Sequence, residues 1–458
     1  MGMKKLTLSE IALSCGGKYV GSDDMATAAV TSVVRDSRQV KEGSLFLCIK
    51  GAAADGHDYA ASAYENGAVC CLAQRPLDTD KPYILVDSVL DSVRYIAKYY
   101  RSKLDIPFVG IVGSVGKTTA KEMTAAVLSR KYSVLKTPEN LNNELGVPLT
   151  VLSIGTEHTA AVIEMGISDF GEMSRLAEIV RPDICVITTI GYCHLENLGD
   201  LNGVMRAKGE VFDYMSDDSL AVMNGDDDIL RAYDTKMKKV TYGLKPDNDF
   251  VGSNIKNLGF DGVSCDISSD RGTFPALIHA FGSHVVSAAL AAAAVGTALG
   301  MENGDIALGI GDYATVGGRA SVINTGCLTV IDDCYNANPN SVKAALTSLS
   351  VIGGRRIAVL GDMLELGSSS SQLHYDVGKF ASDIGVDLLI ACGDQGKFIY
   401  DGFISGASEG YARYFEKKED FLSLIDELIS AGDTVLVKAS HGMHFEEIVD
   451  RLKKLDIR

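Results

Sequence analysis

Residues 113–119 read Gly-Ser-Val-Gly-Lys-Thr-Thr. Such a run can close a backbone around a phosphate. Glycines let main-chain N–H groups converge on oxygens without a Cβ in the way. Lys117 can reach β- and γ-phosphates, and the Thr118 hydroxyl suits a Mg²⁺ ion. Gly113, Ser114, Val115, Gly116 and Thr119 complete the candidate loop. Its spacing departs from the common phosphate-loop pattern, which puts a glycine six places before the lysine. That place is Ile111, with Gly110 one early and Gly113 two late.

Two further side chains stand at the ends of apolar runs. Glu164 closes "AAVIE" and precedes Gly166; an acid there, near a phosphate loop, is a natural Mg²⁺ ligand or a plain loop carboxylate. His194 follows "VITTIG". Its position alone leaves a structural and a ligand role both open. Lys208, in "MRAKGEVF", reads by itself as a solvated lysine on an amphipathic helix.

These residues need elements to hold them. "FVGIV" is a β-branched strand and "AKEMTAAVLSRK" a good helix, so the loop joins a strand to a helix N-terminus, whose partial positive charge favours phosphate. Strands and helices alternate along the chain: "AAVIEMG", "DICVITTIG", "SLAVMNGDD", then the Ala-rich "VVSAALAAAAVGTALG". Later come "RRIAVLGDM", "DLLIACGD" and "DTVLVKAS". This alternation predicts an α/β protein with parallel sheets covered by helices on both faces. The expected units are 1–85, a small α/β domain; 86–313, the phosphate-loop domain; and 314–458, a Rossmann-like domain.

Composition narrows the class. The chain has 458 residues, 46% hydrophobic and 22% charged, in the ordinary range for a globular protein. A net charge of −17 disfavours nucleic acid as a partner. No apolar run reaches the ~18 residues of a membrane span, and the N-terminus does not read as a signal peptide. Ten cysteines without a C-x-x-C pair fit buried thiols in a reducing cytosol. There is no repeat of 20–50 residues.

The shortened loop "GSVGKTTAKEM" resembles the ATP loop of the Mur ligases, the ATP-dependent amide-bond ligases of peptidoglycan precursor synthesis. The run "G-x-x-H-L-E…A-K-x-E" matches the family as well, and implies that His194 and Lys208 join Thr118 and Glu164 around two Mg²⁺ ions. The lysine matching Lys208 reacts with CO₂ in that family, giving a carbamate whose anionic oxygen can ligate Mg²⁺. "KTPENLNNELGVPLTVL" and "VIDDCYNANPNSVKAAL" resemble the member that joins D-alanyl-D-alanine to UDP-N-acetylmuramoyl-tripeptide. The first implies substrate contacts from Asn140, Asn142 and Asn143. The second implies contacts from Asp332 with nucleotide, and from Asp333, Tyr335, Asn336 and Asn338 with substrate. "VLGDMLELG", with His374 downstream, is a third match. "DSRQVKEGSLFLCIKGAAADGHDY" resembles the family's UDP-sugar domain and implies Ser37, Arg38, Asp55 and Gly56 as its contacts. Arg319 in "VGGRAS" matches an arginine that reaches nucleotide phosphate, and His284 opens the stretch expected at the nucleotide.

The resemblance implies a monomeric, cytoplasmic enzyme with Lys117, Lys208, His194 and Arg319 as catalytic groups. The departures leave rivals: a sibling ligase of other amino-acid specificity, a folylpolyglutamate synthetase, or a nucleotide-binding paralogue without turnover. Val285 and Ser287 stand where the family has asparagines, Thr189 where it has Asn, Cys334 where it has Ser, and His441 where Arg is common; "YATVGGR" lacks the usual proline.

Overall fold

The computed structural model describes residues 3–51, 54–406 and 410–455. Three large sheets follow one another along the chain. The first has five strands, in the order Lys18–Val20, Tyr83–Leu85, Ala68–Ala73, Ser44–Leu47 and Ser32–Val34, all parallel except the first pair. The second has nine strands, with Phe108–Val112 between Ala160–Glu164 and Ile184–Ile187. The third has six, with Thr434–Lys438 between Thr329–Asp332 and Arg356–Leu360.

The strands that carry the candidate loops are buried on both faces. Phe108 and Val112 pack into one hydrophobic cluster while Val109 and Ile111 pack into another. In the third sheet Ala358 and Leu360 point one way, Ile357 and Val359 the other. Continuous apolar strands of this kind need helices on both sides, which is why they are parallel and central. The amphipathic helix Val89–Arg101 buries Val93, Ile96, Ala97 and Tyr100 in the core that also holds Leu45 and Leu72 of the first sheet. Tyr100 ties the first unit to the second through its hydroxyl, which accepts the Lys4 N–H at 2.6 Å and donates to the Ile154 carbonyl at 2.5 Å.

One part departs from the expected alternation. The nine-stranded sheet ends in an antiparallel meander, Phe250–Asn257, Val263–Ser269 and Gly272–Ile278. Val263, Cys265 and Ile267 are buried and their neighbours are not, so this edge has one dry face and one wet face. The Ala-rich helix Val285–Ala298 covers the dry face and packs on the helix that follows the phosphate loop.

Candidate active site

Gly113 ends the central strand at φ +147°, and a Cβ there would lie 1.9 Å from Thr188 Oγ1. Only glycine fits. Thr188 in turn donates to the Val115 carbonyl at 2.5 Å, and Ser114 N–H to the Thr189 carbonyl at 2.8 Å. Ser114 Oγ accepts the Gly191 N–H at 3.0 Å. The turn is therefore pinned to the neighbouring strand end. Gly116, at φ +80°, starts the helix Lys117–Leu128 with no side chain to cap it. Its N-terminal N–H groups stay free for an anion. Lys117 arches back and donates to the Gly113 carbonyl at 2.9 Å. Desolvation lowers the Lys117 pKa, against the pull of the Glu164 carboxylate.

Glu164 ends the adjacent strand and is almost wholly buried. Its Oε1 accepts from Asn142 Nδ2 at 2.8 Å and from Thr118 Oγ1 at 3.3 Å. Its Oε2 is buried without a hydrogen bond. A buried carboxylate beside a threonine hydroxyl and a phosphate loop fits a hard cation. Lys121, one helical turn beyond Lys117, is fully buried behind this acid. It donates to the Thr137 and Glu139 carbonyls at 2.8 and 3.2 Å, sits 3.1 Å from Glu122 and reaches within 3.8 Å of Glu164 Oε2. The sequence reading missed it. The signal was its i+4 spacing from Lys117, which puts both on one helix face.

His194 sits in the left-handed region, φ +51°, with Nδ1 2.5 Å from Glu365 Oε2. Desolvation lowers its pKa, and the charges of Lys208 and Lys117 push the same way against Glu365. Lys208 is buried, not solvated, and among the described residues no carboxylate lies within 4.0 Å of its amine. Burial brings its pKa down to about 8, opposed by Cys193 and aided by the Lys117 charge. Thus Lys117 lies within electrostatic reach of Glu164, His194 and Lys208.

A cavity of about 1050 Å³ opens between the second and third sheets. Lys117, Thr118, Asn142, Asn143, Glu164 and His194 line it from one side; Arg319, Asp333, Tyr335, Asn336 and Asn338 line it from the other. Arg319 lies over the Tyr335 ring, 4.0 Å from its centre, and His441 stacks on the same tyrosine with centroids 5.5 Å apart. Lys438, also buried, pairs with Asp333 Oδ2 at 2.7 Å and donates to the Asn336 carbonyl at 2.9 Å, which fixes the loop between them. Asn224, Tyr242 and Ser287 form a further wall with His284, whose imidazole is kept below its usual pKa by desolvation. Val285 is in the helix core and has no place in that wall.

Several expected contacts lie elsewhere. Asp332 does not reach the cavity; its Oδ1 takes the Cys334 N–H at 3.4 Å and S–H at 3.0 Å. Asn140 is exposed outside the walls. Asn143 and Asn338 line the cavity but spend side-chain oxygens on nearby backbone, Asn143 on Gly146 N–H and Asn338, as a helix cap, on Ser341 N–H, both at 2.9 Å. Ser37, Arg38, Asp55 and Gly56 are all outside it. Arg38 forks onto Asp36, and Asp55 holds His57 Nδ1 at 2.6 Å. Gly56 is there for space, since a Cβ would lie 2.6 Å from Ile49 N.

Residues 29–142 match the Mur ligase family catalytic domain, 111–296 the Mur ligase middle domain, and 318–441 the Mur ligase glutamate ligase domain. The chain is 35% identical over 457 residues to the UDP-N-acetylmuramoyl-tripeptide–D-alanyl-D-alanine ligase of Bacillus subtilis, covering 98% of this chain and 99% of that one.

The chain belongs to the Mur ligase family.

The Escherichia coli ligase of the same name is 33% identical across 99% of both chains. A crystal structure of MurF from Acinetobacter baumannii superposes with a TM-score of 0.91 at 28% identity, covering 99% of this chain and 100% of the other. MurF from Thermotoga maritima in complex with ADP gives 0.81 at 28% identity, over 92% and 97%. This Mur ligase has the three-domain α/β architecture its sequence implied. All ten cysteines are free. Among the described residues no helix is long and apolar enough to cross a membrane. Nor do they hold a cluster of three His, Cys, Asp or Glu residues able to bind a metal.

Proposed function

We propose that this Mur ligase joins D-alanyl-D-alanine to UDP-N-acetylmuramoyl-tripeptide at the expense of ATP, as its full-length relatives are named for doing. The working division is 1–85 for the UDP-sugar, 86–313 for ATP and 314–458 for the dipeptide. One observation carries the reading. The glycine turn with Lys117 and the loop Asp333–Asn338 face a single cavity, with the buried Glu164 carboxylate on its wall.

The loop N–H groups and Lys117 hold the β- and γ-phosphates, and Arg319 approaches from the third domain. A terminal carboxylate oxygen of the tripeptide attacks the γ-phosphorus, the bond to the β-phosphate oxygen breaks, and ADP leaves. Lys117, Arg319 and the helix N-terminus stabilise the charge on the group in flight. The amine of D-alanyl-D-alanine, steered by Tyr335 and Asn336, then attacks the acyl phosphate; an amide forms, and phosphate and a proton depart. The two sheets close around the cavity and keep water from the acyl phosphate.

Thr118, Glu164 and His194 suit Mg²⁺, which when bound offsets phosphate charge. Lys208 fits as a fourth donor only once modified. A pKa near 8 leaves roughly a tenth of its amines neutral at pH 7. A neutral amine can attack CO₂, forming an N–C bond, losing one proton and leaving an anionic carbamate. Mg-ATP, UDP-N-acetylmuramoyl-tripeptide and D-alanyl-D-alanine are mixed with the protein, each omitted in turn. Phosphate release is expected only when all are present, with a product heavier by the dipeptide less one water. Release that ignores the dipeptide overturns the proposal.

A further inference from the structure

The loop after strand Arg356–Leu360 reads Gly-Asp-Met-Leu-Glu-Leu over 361–366. Its main chain is tied down almost residue by residue. Gly361 N–H donates to the Lys438 carbonyl at 3.0 Å, Met363 N–H to His374 Nε2 at 2.8 Å, and Leu364 N–H to Ser440 Oγ at 2.9 Å. The Asp362 carboxylate takes the N–H groups of Gln395 and Gly396 at 3.0 and 2.9 Å. Gly361 has no room for a side chain, since a Cβ would lie 2.5 Å from the Phe445 ring. This frame presents Glu365, held at φ +63°.

Glu365 has no cationic partner inside its own domain among the described residues. It reaches across to the second domain twice. Its carbonyl accepts the Leu195 N–H at 3.1 Å, and its Oε2 lies 2.5 Å from His194 Nδ1. His194 Nδ1 is sealed from solvent and is not aligned for a hydrogen bond, while the His194 side chain keeps 26% exposure and lines the cavity. The open side of the ring is therefore not the Nδ1 side.

We propose that Glu365 is a positioning residue which, when the third domain docks, sets its carboxylate charge against His194 Nδ1, so that the ring proton is favoured there by charge and Nε2 is left as the free lone-pair donor towards the phosphate cavity. This rests on the reading of His194 as a Mg²⁺ ligand. A carboxylate behind a ligating imidazole fixes its tautomer and strengthens it as a donor. That help matters for Mg²⁺, which prefers oxygen. Because the carboxylate comes from another domain, the site gains its full affinity only in the docked state. ATP held by an undocked molecule thus lacks a complete metal site, and wasteful hydrolysis is restrained.

The test uses the full chain, with Mn²⁺ as a probe visible by electron paramagnetic resonance and a non-hydrolysable ATP analogue. Glu365→Ala is expected to weaken Mn²⁺ binding by about tenfold or more, and to raise the KM for Mg²⁺ while the melting temperature holds. Glu365→Gln, which keeps an acceptor but loses the charge, falls between. On a His194→Ala background, Glu365→Ala adds no further loss. Unchanged Mn²⁺ affinity in Glu365→Ala, with His194→Ala weakened, overturns this inference alone. Mn²⁺ affinity indifferent to His194→Ala removes the ligand reading and this inference with it. An additive loss in the double variant reduces Glu365 to a domain contact and also overturns it.

Discussion

The central cavity and the exposed face of the N-terminal sheet both carry polar residues that the sequence marks for ligands, but their partners differ. On the N-terminal face the valences are met locally. Arg38 is 86% exposed and its fork is on Asp36, two residues away. Asp55 is taken by His57, again two residues away. In the cavity the partners are distant in sequence. Thr118 meets Glu164, and His194 meets Glu365. Here burial leaves Glu164 Oε2 with no hydrogen bond and only the Lys121 amine, 3.8 Å away, and among the described residues no carboxylate pairs with the buried Lys208 amine. Unmet groups in a dry pocket cost stability and are kept for a ligand. Locally satisfied groups on a wet face cost little, and bind by exchanging one partner for another.

The strongest way to break this contrast is to remove the most costly of those groups. Lys208→Ala is expected to lower dipeptide-dependent phosphate release by about two to three orders of magnitude, with short carboxylic acids restoring part of it. Its melting temperature should not fall far, because a buried unpaired ammonium contributes no ion pair. Wild-type turnover disposes of the carbamate; a collapse in melting temperature shows that Lys208 is structural.

How much of the contrast was legible beforehand varies with the physics. The phosphate loop was readable because Gly-Lys-Thr between a buried strand and a helix has few other uses, and the 1.9 Å clearance at Gly113 gives the reason. The adjacent pair Asp332-Asp333 was not resolvable. Neighbours at a strand end point to opposite sides, and only the fold decides that Asp333 faces the cavity. Asn338 was marked for substrate, although Asn-Pro before a helix is also a cap signal, and capping is what it does. Lys121 shares a helix face with Lys117, but nothing local says that this face is buried. Glu365 could not be paired with His194 at all, since nothing local encodes a contact across 171 positions. The antiparallel edge 250–278 escaped although its strands are long, because the first of them breaks its pairing register between Ser253 and Lys256.

A subtler test acts on the frame behind the cavity. His374 is fully buried, accepting Met363 N–H at Nε2 and lying 2.7 Å from the Ser370 carbonyl at Nδ1. Both nitrogens are used by the neutral ring, and burial lowers its pKa. The unfolded histidine takes a proton near 6.5 and the folded one only lower, so between these values the unfolded state binds more protons. Stability of this region is complete above about pH 6.5 and falls as pH drops below it. Amide-exchange protection at Met363 is expected to fall by up to about tenfold per pH unit below that point. Protection that stays flat down to pH 5.5 shows that the ring is not held neutral by this pair of contacts.

The smallest expected effect belongs to the N-terminal face. Arg38→Ala leaves the melting temperature unchanged, because the Asp36 pair is exposed and screened. If Arg38 meets the pyrophosphate of the UDP-sugar as proposed, KM for that substrate rises several-fold while kcat holds, the signature of lost ground-state binding. Asp36→Asn sharpens the point. It frees the guanidinium from its present fork, so the anionic substrate no longer competes with a carboxylate and its KM falls. A surface arginine without a role predicts no change in either variant. A rise in both shows that the pair itself, not the arginine alone, shapes the sugar site.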